Sequence, residues 1–123
     1  MKGILKSLRS IKPVRNSMEN ILELDPNFHR AHFVLSRVYR KAPKLISIGD
    51  INRSEEHINK ALKGDPNESL YLLEKARVLV KLKRKKEARI VLDKLLNLPM
   101  NPKYFANQVA RDQRHGKRLL ESL

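Results

Sequence analysis

The sequence predicts an all-α protein: about six helices, paired antiparallel and stacked as a right-handed superhelix. Three observations predict it. Apolar residues recur at spacings of three and four along most of the 123 residues, the period of a half-buried helix. No stretch alternates apolar and polar residues as a strand would. Two similar turns, LELDPN at 22–27 and LKGDPN at 62–67, place their prolines 40 residues apart, and a period of that size marks a repeat architecture.

The elements follow in order. In MKGILKSLRSIKPVR, Ile4, Leu8 and Ile11 form an apolar face between Lys2, Lys6, Arg9 and Lys12. This is expected to be the short opening helix of an incomplete first repeat, residues 1–27. The alternatives are a surface anchor on an anionic membrane and a weak organelle-targeting peptide. Val14, Met18, Ile21, Leu22 and Leu24 then read as a second helix. With its hairpin incomplete, Val14, Met18 and Ile21 stay partly uncovered, which leaves homo-oligomerisation through that end open.

A repeat over 28–68 opens with FHRAHFVLSRVYRK, whose Phe28, His32, Leu35 and Tyr39 share one stripe. A second helix over 52–63 carries Ile58, Ala61 and Leu62. Between them lies an added loop, 43–48, before Gly49-Asp50. Its apolar Leu45, Ile46 and Ile48 suggest a segment folded back over the hairpin. A repeat over 69–102 carries Leu72, Ala76, Leu79 and Leu82, then Ala88, Val91, Leu92, Leu95 and Leu96. Residues 103–123 hold a terminal capping helix, with Val109, Leu119, Leu120 and Leu123 closing the last repeat and Gly116 weakening its middle. The breakers between runs are Asp25-Pro26-Asn27, Pro43, Gly49-Asp50, Gly64-Asp65-Pro66-Asn67 and Pro99-Met100-Asn101-Pro102. Gly ends helices, and Asp or Asn before a helix accepts its unbonded amide hydrogens.

The slots match a known pattern. His32, Leu35, Ser36 and Tyr39, then Ser54, Ile58, Ala61 and Asp65-Pro66, fall where the tetratricopeptide repeat has W-x2-L-G-x2-Y, A-x3-F, Ala and Pro. Leu72, Ala76, Leu79, Ala88, Leu92 and Leu95 take the same slots one repeat later. Small residues at Ser36, Ala61, Ala76 and Ala88 let helices approach closely. Added to these are Lys41-Ala42-Pro43, Gly49-Asp50, Asp65-Pro66-Asn67, Lys86 to Lys94 and Leu119-Leu120. On these residues the chain from about Asn16 to Leu123 resembles the T component of tripartite ATP-independent periplasmic transporters and the regulator-of-microtubule-dynamics proteins. The resemblance implies a tetratricopeptide-like right-handed superhelix and a role in protein association; an accessory subunit of a transport system is one form of it.

Charge bounds the partners. The chain carries 27 Lys and Arg against 13 Asp and Glu, a net charge of +14. Residues 1–18 hold five bases and no acid, and residues 69–123 hold fourteen bases and five acids. Such a surface favours acidic partners: an acidic protein, nucleic acid or anionic lipid. The absence of cysteine removes disulfides and thiolate chemistry. No apolar run is long enough for a membrane span, and a cytoplasmic location is expected.

In a tetratricopeptide superhelix the first helix of each pair lines a concave groove. The expected groove residues are Arg30, Phe33, Val34, Arg37, Arg40 and Lys41 in one repeat, with Leu73, Arg77 and Lys81 in the next. Arg37 and Arg77 take equivalent slots. An acidic, partly apolar peptide or helix is the expected occupant, because Arg forks match carboxylates and apolar neighbours supply area. A second candidate is the basic turn Lys83, Arg84, Lys85, Lys86 and Arg89, suited to phosphates, although no aromatic platform accompanies it.

Enzyme chemistry finds little support. His29 and His32 near Asp25 hint at a metal pair, but His32 occupies a bulky packing slot. His57 and His115 show no obvious partner. No P-loop, nucleophile elbow or carboxylate pair is present. The expectation is a non-catalytic interaction scaffold with no cofactor and no metal.

Overall fold

The computed structural model describes residues 2–42 and 50–123, with side chains from Ile11 onward in the first helix. The expected loop 43–48 and the N-terminal face of Ile4 and Leu8 lie outside that description. The described residues are all-helical: α1 (Lys2–Leu24), α2 (His29–Lys41), α3 (Ile51–Gly64), α4 (Ser69–Lys81), α5 (Lys85–Leu96) and α6 (Ala106–Glu121). No helix among them is long and apolar enough to cross a membrane. The chain divides into two compact units, 1–64 and 65–123.

In the first unit, α2 packs on α3 and on α1. The residues that the helical period places on one stripe are those that become buried: Leu35, Tyr39, Ile58 and Ala61 are each at most 4% exposed. Where α2 and α3 meet, two fully buried serines interlock. Ser36 Oγ donates to the Ser54 carbonyl at 2.8 Å, and Ser54 Oγ donates to the Ser36 carbonyl at 2.7 Å. Small side chains bring the backbones together, and the hydroxyls find acceptors on the opposite helix, so neither buried hydroxyl is orphaned. At the other end of the pair, Gly64 touches α2. A Cβ there would stand 2.6 Å from the His29 Cβ.

α3 starts at the predicted place for the predicted reason. Asp50 Oδ1 accepts from the amides of Asn52 and Arg53, both at 3.1 Å, which satisfies two of the four unbonded donors of a helix N-terminus. The Asp25 turn works differently. Asp25 Oδ1 accepts from the Asn27 amide at 3.1 Å, inside the turn, and α2 is preceded by Phe28, which is 43% exposed rather than on the buried stripe.

The N-terminus departs from expectation. One continuous 23-residue helix, α1, runs through Pro13, where the sequence suggests a short helix and then a second one. Pro13 lacks the amide for one intrahelical bond, yet the helix continues. Ile11, Met18 and Leu22 of α1 pack against Leu35, Tyr39 and Ala42. Val14 and Leu24 remain exposed, at 39% and 90%.

In the second unit, α4, α5 and α6 all pack on one another. Leu72, Ala76, Leu79, Ala88, Leu92 and Leu95 form its core. Alanines 76 and 88 take the small-residue role that serines 36 and 54 take in the first unit. The α4–α5 turn closes through Lys83, which adopts a left-handed backbone with φ 62°. α6 joins through two residues that periodicity alone did not assign to the core, Asp112 and Gly116. Gly116 sits where a Cβ would fall 2.6 Å from Leu95 Cδ2. Its role is close approach rather than a weak point. Asp112, 1% exposed, accepts from Ser69 Oγ at 2.6 Å. Ser69 is the first residue of α4, and a carboxylate there meets the positive end of the helix dipole.

Candidate functional site

The expected groove residues lie on α2 and α4. On α2, Arg30, Arg37 and Lys41 are exposed, Val34 and Arg40 are half-buried, and Phe33 is buried at 6%. The Arg37 guanidinium lies 5.9 Å from the Phe33 ring centroid, a cation–π contact between residues one turn apart. Phe33 therefore serves as a floor beneath Arg37 rather than as open apolar surface. On α4, Lys81 is exposed, Arg77 half-buried and Leu73 buried at 2%. Each helix thus presents cations outward while its large apolar side chains turn inward. The apolar contribution expected from Phe33 and Leu73 is largely consumed by packing.

All five residues of the basic turn, Lys83, Arg84, Lys85, Lys86 and Arg89, are exposed. Arg84 pairs with Glu87 through both its Nε and one terminal nitrogen, which holds the Glu87 carboxyl below its usual range, chiefly through that bond. Arg89 donates to the Leu123 carbonyl at 3.3 Å. The cations crowd the N-terminus of α5, where helix electrostatics favour anions. Glu87 is the acid that the first turn of α5 supplies.

Two arrangements escaped the sequence reading. In the first unit, His32 Nδ1 lies 2.9 Å from His57 Nδ1, and His32 Nε2 donates to the Pro26 carbonyl at 2.8 Å. The Tyr39 ring stacks on His57 at 5.7 Å and 9°. Burial, then the neighbouring His32, then Lys60 and Arg53, depress the His57 pKa to about 4. The hint of a metal pair at His29 and His32 resolves differently: His32 is paired with His57. Among the described residues, no group of three or more potential ligands gathers to hold a metal.

In the second unit, a cleft of about 630 Å³ opens between the α5–α6 connection and α6. Leu98, Met100, Tyr104 and Val109 are among its walls. The connection is pinned at one end. The Tyr104 hydroxyl donates to Asp65 Oδ1, and Lys103 Nζ lies 3.5 Å from Asp65 Oδ2. Burial, then the bond to Asp65, raise the Tyr104 pKa above its ordinary value. Lys94 Nζ donates to the Pro66 carbonyl at 3.1 Å. The second Asp-Pro-Asn turn is thus held by residues more than 25 positions later, a pairing no local pattern reveals. The nearest signal was the proline-rich connection itself, with Pro99 and Pro102 straddling Met100.

Comparison with family models, with curated proteins and with solved structures returns no match.

Proposed function

We propose that the chain is a non-catalytic interaction module, a tetratricopeptide-like right-handed superhelix that takes an acidic, partly apolar peptide or helix on the basic faces of α2 and α4. The observation that carries this reading is the outward display of cations on both helices: Arg30, Arg37 and Lys41 on α2, and Lys81 with half-buried Arg77 on α4. The sequence period supports it, because Arg37 and Arg77 stand 40 residues apart, as Pro26 and Pro66 do. Arg fits such a role through its planar fork, which pairs with a carboxylate in two bonds.

The test is a charge reversal. Arg37→Glu combined with Arg77→Glu should weaken binding of peptides selected on the wild-type protein by about tenfold or more. Binding unchanged by the double reversal overturns the reading.

A second reading is favoured by the exposed turn Lys83–Lys86 with Arg89: contact with nucleic-acid phosphates. Salt separates the two. Phosphate binding loses affinity steeply between low and moderate salt through counterion release, whereas a complex partly anchored by apolar contacts loses less.

A further inference from the structure

We infer that the cleft between the α5–α6 connection and α6 is a docking site for an amphipathic helical segment whose apolar side chains are flanked by carboxylates. This site lies wholly within the second unit and is independent of the α2 and α4 faces.

Its chemistry is apolar at the centre. No ionisable acid or base other than the Tyr104 phenol lines it, and that hydroxyl is committed to Asp65. The Gln113 amide donates to the Leu95 carbonyl at 3.1 Å, and Asn101 Oδ1 accepts from the Lys103 amide at 3.0 Å. The lining polar groups are mostly spent inside the protein, which disfavours a small polar ligand that needs converging donors and acceptors. A volume of about 630 Å³ suits a few aliphatic side chains. Apolar surface is also exposed at its edge: the lining residue Met100 is 96% exposed, and Phe105, between the lining residues Tyr104 and Ala106, is 84% exposed. A small apolar molecule seated in the cleft would leave most of this surface wet, whereas a helix lying across it covers more of it.

The charge of the rim selects the partner. Residues 65–123 carry fourteen Lys and Arg against seven Asp and Glu, and three of those acids, Asp65, Glu74 and Asp112, are buried. Ala106, Val109, Ala110 and Gln113 line the cleft from one stripe of α6. The same stripe continues one turn on to Lys117, with Arg114 beside it, and both are exposed. Lys103, whose side chain stays 64% exposed while its Nζ pairs with Asp65, stands between the lining residues Pro102 and Tyr104. An apolar strip bordered by these cations complements a helix with carboxylates on either side of its apolar stripe.

The experiment uses the full chain, with the methyl groups of Met100, Val109 and Ala110 observed by NMR. The probe is a synthetic helical peptide with leucines on one stripe and glutamates elsewhere. The expected result is saturable shifts at these three methyls, and binding weakened about tenfold by Met100→Glu plus Ala110→Glu. Both positions are exposed, so the fold should survive, as an unchanged melting temperature would verify. Arg37→Glu plus Arg77→Glu should leave these shifts in place, which separates this site from the α2 and α4 faces. Three results overturn the proposal: no saturable shift at these methyls, equal binding of a peptide with lysines in place of the glutamates, or binding indifferent to the Met100 and Ala110 substitutions.

Discussion

His32 and His57 face each other through their Nδ1 atoms, 2.9 Å apart, and the far side of His32 is tied to the Pro26 carbonyl at 2.8 Å. With Nε2 of His32 donating, one proton lies between the two Nδ1 atoms, and a second has no place. Tyr39 stacks on His57, and the surrounding charges, Lys60 and Arg53, are both positive. The gap between the two Nδ1 atoms therefore holds one proton, and burial with the neighbouring cations disfavours a charged His57.

A pH dependence follows. The His57 pKa is depressed from 6.5 to about 4, so the unfolded chain takes up a proton that the folded chain refuses. The contribution to stability is present above about pH 6.5 and is lost progressively as pH falls towards 4. His57 is only partly buried, so the loss should be about 1–2 kcal/mol. Urea unfolding midpoints at pH 7, 5.5 and 4.5 would measure it. His57→Gln should flatten that part of the profile; a profile of equal slope would rule out the pair as its source.

The glycines at 64 and 116 should respond differently to alanine. At Gly64 the new Cβ meets the His29 Cβ, which is fixed to the α2 backbone, so the α2–α3 contact must move. Gly64→Ala should cost about 2 kcal/mol through overpacking. At Gly116 the new Cβ meets the far end of the Leu95 side chain, and alanine regains about 1 kcal/mol of helix propensity. Gly116→Ala should change stability by less than about 1 kcal/mol. Thermal denaturation of the two variants side by side decides it; an equal cost at both sites would refute the distinction.

The two buried hydroxyl contacts should differ in what removal leaves behind. Asp112→Ala strips the acceptor from the fully buried Ser69 hydroxyl and should cost about 2–3 kcal/mol, counting the orphaned donor. Asp112→Asn keeps an acceptor and should cost less. Ser36→Ala leaves the Ser54 hydroxyl still donating to the residue 36 carbonyl, so about 1 kcal/mol is expected. Chemical denaturation that ranks Ser36→Ala above Asp112→Ala would contradict this account.

Lys83 offers a gain. Its φ of 62° lies in the left-handed region, which costs a residue with a Cβ about 1 kcal/mol or more. Lys83→Gly should raise the unfolding free energy by up to about 1 kcal/mol, the gain reduced by the extra freedom of glycine in the unfolded chain. An unfolding midpoint at or below wild type would show that the turn tolerates lysine without strain.

Helices and their ends were legible because their causes are local. The stripe from Leu35 to Tyr39 and the cap at Asp50 depend on residues within a turn or two of each other. The opening helix is less legible for a related reason. Periodicity and Pro13 leave open whether a second helix begins there, and packing of Ile11, Met18 and Leu22 on α2 accompanies a single continuous one. Of the groove candidates, Arg30, Arg37 and Lys41 on α2 are exposed while Phe33 and Leu73 are buried, because a repeat slot says which face a residue occupies and not how deeply its neighbours bury it.

An all-α chain, the positions of α2 to α6, the stripes that become core and the basic character of the surface can be read from the order of residues. These follow from period, breakers and charge, all of which act over a few residues. Tertiary structure alone decided that His32 meets His57, that Ser69 meets Asp112, that Asp65 is held by Lys103 and Tyr104, and that a cleft opens beside α6. Each of these depends on the rotation and separation of helices distant in sequence, which are set by the summed packing of many side chains and written in no single stretch of chain.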